Sequence, residues 1–120
     1  MGINLYKVKY LQLPLFLDEI ISLHSNNALT EYITSFKNYK IIILDDFGLN
    51  EINQIQLQAL FALINCYYKK ITFIITSQLP IENWFNYLTE KTISEAILDR
   101  VLSNSLRVNL KGESFRWNNI

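Results

Sequence analysis

One short run of the sequence constrains the fold more than any other. The residues Ile41-Ile42-Ile43-Leu44 are all apolar, and two carboxylates, Asp45 and Asp46, follow them directly. A continuous apolar run of this length predicts a parallel strand that is covered by helices on both faces. Such a strand delivers its acids to the carboxyl end of the sheet, where nucleotide-binding α/β proteins hold magnesium.

The acidic pair has two interpretations. If the strand geometry continued, Asp45 and Asp46 would point in opposite directions, so that one could hold a magnesium-bound water and the other could face an attacking water. Asp and Gly are also common turn residues, so the start of a turn before Gly48 is the alternative, although the four preceding aliphatic residues favour the magnesium interpretation. The chain contains no GxxxxGK[ST] loop, which normally holds the phosphates beside such a strand.

The remaining periodicity predicts strands and helices in alternation. A second buried strand is expected over Ile71–Ile75, and the helical spacing of the residues before it predicts a crossover helix between the two strands. The residues at that spacing are Leu57, Leu60, Phe61, Ile64 and Tyr68. Strands with one solvent-exposed face are predicted at Leu5–Leu11 and Leu106–Leu110. Helices are predicted near Pro14, Leu29 and Pro80. A further helix is predicted to start at Thr92, which has capping-box spacing with Glu95.

Composition indicates one intracellular domain. The chain has 120 residues, with 11 basic and 11 acidic side chains, so net charge gives no argument for binding nucleic acid. Its single cysteine, Cys66, excludes an internal disulfide, suits a reducing cytoplasm and is expected to pack as a small apolar residue. No apolar stretch approaches the roughly 20 residues that span a bilayer, so we expect no membrane association.

Three further places could carry chemistry. Thr76-Ser77-Gln78 follows the second buried strand, where these side chains could touch a γ-phosphate or simply cap the strand end. Arg100 lies at the border of an apolar helix stripe, where it could reach a phosphate across an interface or pair with Asp99 or Glu95 on the surface. Arg116 is similarly ambiguous, although a turn at Gly112 could swing it toward the sheet.

The ordered set IIILDDFG, FIITSQLPIENW, ISEAILDRVLSNS and LKGESFR resembles the carboxyl-terminal two-thirds of the IstB-like ATPases. These are transposition helpers related to the helicase loader DnaC, in the AAA+ superfamily. The resemblance runs from about Lys7 to Arg116. It implies an α/β fold: the three-layer parallel sheet of an AAA+-like P-loop NTPase, without its first strand and P-loop, as one partial domain over residues 1–120.

The resemblance also implies roles for individual residues. Asp45 matches the Walker B acid on Mg²⁺, and Asp46 stands in the place of the catalytic carboxylate. Ser77 and Gln78 fall in the sensor 1 region and Arg116 is similar to the sensor 2 arginine, so that all three would contact ATP. Arg100 matches the arginine finger that enters a neighbouring subunit.

The absent P-loop shapes what function we expect. The family uses ATP to load or target a transposase or helicase on DNA. Loop amides and a lysine normally hold the phosphates of ATP, so this chain alone should bind ATP weakly or not at all. Whether it is an enzyme is therefore open. The missing strand is central in the family's sheet, so its loss would leave an edge of Ile71–Ile75 unpaired. Homologous AAA+ subunits or a P-loop-bearing fragment could complete the site. The alternatives are a non-catalytic fragment that associates with intact homologues and a decayed mobile-element remnant.

Overall fold

The computed structural model describes residues 7–25 and 27–103 of the chain. Strands and helices alternate along it, as the sequence predicts. The elements are β1 (Val8–Gln12), α1 (Leu13–Ser25), α2 (Leu29–Thr34), β2 (Ile41–Asp45), α3 (Gln54–Tyr67), β3 (Thr72–Ile75), a 3₁₀ turn (Ile81–Asn83), α4 (Trp84–Tyr87) and α5 (Lys91–Leu102). The predicted strand at Leu106–Leu110 lies outside the described residues.

The three strands form one parallel sheet in the order β1-β2-β3. The register pairs Tyr10 with Ile43 and Ile43 with Ile74, so β2 is the middle strand. Among the described residues β3 pairs only with β2, which leaves its other edge open. The prediction of a parallel α/β sheet with crossover helices is therefore confirmed.

The two faces of this sheet are in different environments. Leu11, Ile42 and Leu44 lie on one face and are buried against the helices. On the other face Tyr10 is 52% and Ile74 is 44% exposed. Consecutive right-handed crossovers that step across a sheet in one direction place their helices on the same face, which explains the asymmetry.

This asymmetry corrects two expectations. Both apolar runs, Ile41–Leu44 and Ile71–Ile75, were expected to be covered on both faces, but within residues 7–25 and 27–103 the sheet they form is covered on one. The first strand was predicted to have one face in solvent, and its alternation puts the apolar Val8 and Tyr10 opposite Lys7 and Lys9; yet Val8 is 48% exposed and Leu11, on the lysine side, is buried instead. Alternation identifies two faces of a strand, but the elements packed on the sheet decide which face is covered.

Helix α3 forms the centre of the core. Its inward side contributes four residues that are at most 1% exposed, namely Leu57, Leu60, Leu63 and Ile64. Asn53 caps the helix in a reciprocal capping box with Gln56. The Gln56 amide also donates to the backbone oxygen of Leu17 at 3.0 Å, which joins α3 to α1. The predicted crossover helix is thus fixed at its start and along its length.

Helix α5 begins one residue earlier than predicted. The carboxylate of Glu90, rather than the Thr92 hydroxyl, caps it by accepting from the Ile93 N–H at 2.6 Å. Ile97 faces the core as predicted, whereas Cys66 on α3 is exposed and does not pack as expected. None of the helices within the described residues is long and apolar enough to cross a membrane.

Candidate functional site

The Asp45 carboxylate is the centre of the candidate site. It ends the middle strand, and each of its oxygens accepts a hydrogen bond from a hydroxyl: Oδ2 from Tyr10 on β1, and Oδ1 from Thr76, the residue that follows β3. The Thr76 hydroxyl, followed by that of Tyr10, lowers the pKa of Asp45 below its usual range because both stabilise the charged form. The same contact raises the pKa of the Tyr10 phenol. Asp45 is therefore an ionised carboxylate in a defined orientation at the sheet edge.

Asp46 leaves the strand. Its φ of 67° is left-handed, and its backbone N–H donates to the Thr76 hydroxyl at 3.1 Å. The Leu49 N–H closes a turn onto the Asp46 carbonyl at 3.2 Å, and Gly48 follows the left-handed conformation with a φ of 88°. The strand geometry assumed for the alternating pair thus stops at Asp45, and the turn interpretation describes the backbone. The turn leaves both acids at the carboxyl end of the sheet.

Aromatic packing fixes this turn. Phe47 is 2% exposed, and its ring centroid lies 4.4 Å from that of Trp84 and 5.2 Å from that of Tyr87. The Phe47 N–H donates to the backbone oxygen of Thr76 at 2.9 Å, so the turn after β2 and the loop after β3 are tied to each other. The acidic pair consequently stands on a rigid support.

Ser77 and Gln78 differ in their surroundings. The Ser77 hydroxyl donates to the Phe47 carbonyl and accepts from the Leu79 N–H at 3.0 Å, so it bridges the same two loops. Gln78 is exposed beside it. The hydroxyl that reaches the Asp45 carboxylate belongs to Thr76, one residue before the two that we predicted to contact ATP.

Arg100 lies away from this edge, on the outer side of α3. Its Nε donates to Asn65 Oδ1 at 2.9 Å and its Nη1 to the Ala96 carbonyl at 3.0 Å. The guanidinium carbon stands 5.4 Å from the ring centroids of both Phe61 and Tyr68. The guanidinium is thus held within its own chain by α3, and not by the acids that we named as its surface partners. Arg116 lies outside the described residues.

The described residues partly fit a magnesium site. Within residues 7–25 and 27–103, no group of three or more His, Cys, Asp or Glu side chains could enclose a metal ion. Magnesium at nucleotide sites needs only one or two carboxylates, because phosphate and water oxygens supply its other ligands. Asp45 fits that smaller requirement, with Asp46 beside it. The groups that would hold the phosphates are not among these residues.

The sequence did not predict the partners of two candidate residues, Asp45 at the site and Arg100 away from it. Tyr10 lies 35 positions before Asp45, and only the strand register brings them together. Asn65 is a polar residue on a helix that periodicity assigns to packing, and its contact with Arg100 likewise spans 35 positions. The available signal for the Tyr10–Asp45 contact was the apolar-polar alternation around Tyr10, because it predicts a strand and so places a hydroxyl-bearing side chain in the sheet.

A parallel α/β sheet whose middle strand ends in an acidic pair beside a hydroxyl from the next strand is typical of P-loop NTPase-like domains. Comparison with known proteins narrows this class. The sequence model described as IstB-like ATP binding protein matches residues 3–120, and the chain belongs to this family.

Relatives support the same assignment. The protein y4uH of Sinorhizobium fredii, named as an insertion sequence ATP-binding protein, is 29% identical over 111 residues, which are 92% of this chain and 45% of y4uH. Its counterpart y4pL from the same organism is 39% identical over 79 residues, 66% of this chain and 32% of y4pL. A Pseudomonas aeruginosa protein named for insertion sequence IS21 and ATP binding is 28% identical over 111 residues, 92% of this chain and 42% of that protein. The chain thus spans less than half the length of these relatives.

Proposed function

We propose that this chain contributes the metal-binding edge of an ATP site to a transposition helper of an insertion sequence. The observation that carries the proposal is the Asp45 carboxylate, which ends the middle strand and is held by the hydroxyls of Tyr10 on β1 and of Thr76 directly after β3. The family description and the relatives' names support ATP as the ligand and an insertion sequence as the setting. Asp45 would hold Mg²⁺, and Asp46 would act as the catalytic carboxylate.

The other residues take the roles that the family resemblance implies. Ser77 and Gln78 would act near the γ-phosphate at the end of β3, and Arg116 would contact the nucleotide from the carboxyl-terminal segment. Arg100 would reach the phosphates of a neighbouring subunit, for which its guanidinium must first leave Asn65 and the two rings. A transposase or helicase and DNA are the partners of this activity, in a cytoplasmic complex.

The uncovered face and edge of the sheet are evidence that a second polypeptide segment completes the site. Parallel sheets are nearly always covered on both faces, but here one face and the outer edge of β3 are uncovered by the described residues. A strand beside β3 that connected to β1 by a right-handed crossover would run across the sheet in the opposite direction. Its helix would then cover the exposed face. Such a strand and helix would also bring a phosphate-binding loop to the edge that carries Asp45.

The exposed face can be tested as a docking surface. The chain would be mixed with the separately produced part of y4uH that lies outside the matched 111 residues, and the complex measured by sedimentation velocity. We expect a 1:1 complex that Ile74→Asp abolishes, since Ile74 is 44% exposed on this face. Ile55→Asp is the matched control, because Ile55 is 37% exposed in the first turn of α3, where an acid is tolerated.

The same exposed face favours a second candidate function. A chain that lacked any ATP site of its own could still dock through this face onto an intact homologue and change its assembly. Co-purification with full-length y4uH, but not with its separate segment, would favour this regulatory function. A complex that Ile74→Asp leaves intact would contradict docking through the exposed face in either case.

A further inference from the structure

Tyr10 occupies an unusual position for an exposed tyrosine. It stands on β1 with its ring on the open face of the sheet, and its Cα partner on β2 is Ile43, two residues before Asp45. Aromatic side chains can span such a diagonal between neighbouring strands. The phenol uses this reach to donate to Asp45 Oδ2.

Two hydroxyls hold the carboxylate from opposite sides. Tyr10 binds Oδ2 from β1, and Thr76 binds Oδ1 from the end of β3. The plane of the carboxylate is set by these contacts, because rotation about the Cβ–Cγ bond would break both of them. Each ionised carboxylate oxygen has two lone-pair sites, so both oxygens keep acceptor capacity for a cation or its water.

The tyrosine has a chemical reason to be here and not a phenylalanine. On a sheet face that only has to be covered, the two rings would serve equally well. The hydroxyl adds one thing, a donor directed at the acid that ends the neighbouring strand. Groups that orient a metal ligand in this way commonly change metal affinity by one to two orders of magnitude.

We propose that Tyr10 is a positioning residue for divalent-cation binding at Asp45. Its phenol holds the carboxylate in the plane that presents the free lone pairs to the ion, while Thr76 holds it from the other side. The proposal rests on the proposed function, since it assumes that Asp45 is the carboxylate that binds the cation. Tyr10 acts through Asp45 and does not itself contact the ion.

Manganese alone can probe this site in the complete chain. Mn²⁺ would be titrated into ¹⁵N-labelled protein, and the paramagnetic broadening of the amides at 44–48 and 74–77 would give a local Kd. We expect Tyr10→Phe to raise this Kd about tenfold without changing amide shifts in the helices. Tyr39→Phe is the matched control, since it removes a phenol hydroxyl elsewhere and should leave the Kd unchanged.

The outcomes separate the two claims. If Asp45→Asn abolishes the broadening, Asp45 is the ligand. If Tyr10→Phe then has the same Kd for Mn²⁺ as Tyr39→Phe, the role of Tyr10 is overturned. Tighter binding in Tyr10→Phe would also overturn it, because the phenol would then compete with the ion. Broadening that is absent, or insensitive to Asp45→Asn, would overturn the cation site and the positioning role together.

Discussion

Replacing Arg100 by alanine is expected to lower the free energy of unfolding by about 1.5–2 kcal/mol. The guanidinium lies over two rings and donates to Asn65 at 2.9 Å. At a half-buried position each ring contact is worth about 0.5 kcal/mol and the hydrogen bond about 1 kcal/mol. Alanine returns only about 0.2 kcal/mol through its higher helix propensity.

Urea denaturation of the 120-residue chain measures this loss. With an m-value of about 2 kcal/mol/M, the midpoint should fall by about 1 M. Arg100→Lys should lose roughly half as much, because an ammonium keeps its charge near the rings but lacks the planar donor that meets Asn65. Lys91→Ala, which removes an exposed cation from the same helix, should change stability by less than about 0.5 kcal/mol.

A double-mutant cycle isolates the contact. Arg100→Ala and Asn65→Ala should be coupled by about 1 kcal/mol, since each removes the same hydrogen bond. A loss of stability below about 0.5 kcal/mol in Arg100→Ala, with additive effects of the two single variants, would contradict this prediction. It would show that the guanidinium is not held in its own chain and is free to enter another subunit.

Three other perturbations test the local structure. Ser94→Ala should raise the free energy of unfolding by about 1 kcal/mol, since the buried Ser94 hydroxyl has no hydrogen-bond partner among the described residues; a lower urea midpoint would contradict this. Gly48→Ala should cost about 1–2 kcal/mol, because φ is 88° and a Cβ would lie 2.9 Å from Leu79 Cδ2; an unchanged midpoint would show that the turn adapts. Burial, followed by the nearby Glu19 charge, raises the pKa of Tyr32 from 10.0 to about 12. The contribution of the protonated Tyr32 phenol to the free energy of unfolding is therefore complete below pH 10 and is lost as the pH rises from 10 to 12. Ultraviolet titration should show a phenol near 12 that Tyr32→Phe removes, and loss of a phenol near 10 in that variant would contradict the prediction.

The sequence was sufficient for the elements and their type because these depend on local pattern. The apolar run before Asp45 and the run at Ile71–Ile75 became adjacent parallel strands, and the helical spacing between them became α3. The predicted start of α5 was wrong. Threonine is a commoner N-cap residue than glutamate, so the sequence favoured Thr92, but the carboxylate of Glu90 caps the helix by accepting from the Ile93 N–H. Local patterns of this kind fix an element more firmly than its first residue.

The site depended on non-local geometry. The sequence placed Asp45 at a strand end, but the register that brings Tyr10 to it is set by packing across the sheet. It offered a turn at Asp46 only as one of two interpretations, since Asp is compatible with both a strand end and the left-handed φ of 67° that Asp46 adopts. Which sheet face stays open depends on the direction of the crossovers and not on strand composition.

Calorimetric measurement of magnesium-dependent ATP binding would show whether Asp45 contributes to an ATP site. The chain would be titrated alone and as a mixture with the unmatched part of y4uH, with Asp45→Ala as the test variant and Asp18→Ala, an exposed acid on α1, as the control. We expect weak or no binding by the chain alone. We expect binding by the mixture that Asp45→Ala abolishes and Asp18→Ala preserves. Tight binding by the chain alone, or binding by the mixture that survives Asp45→Ala, would contradict the proposed role of Asp45.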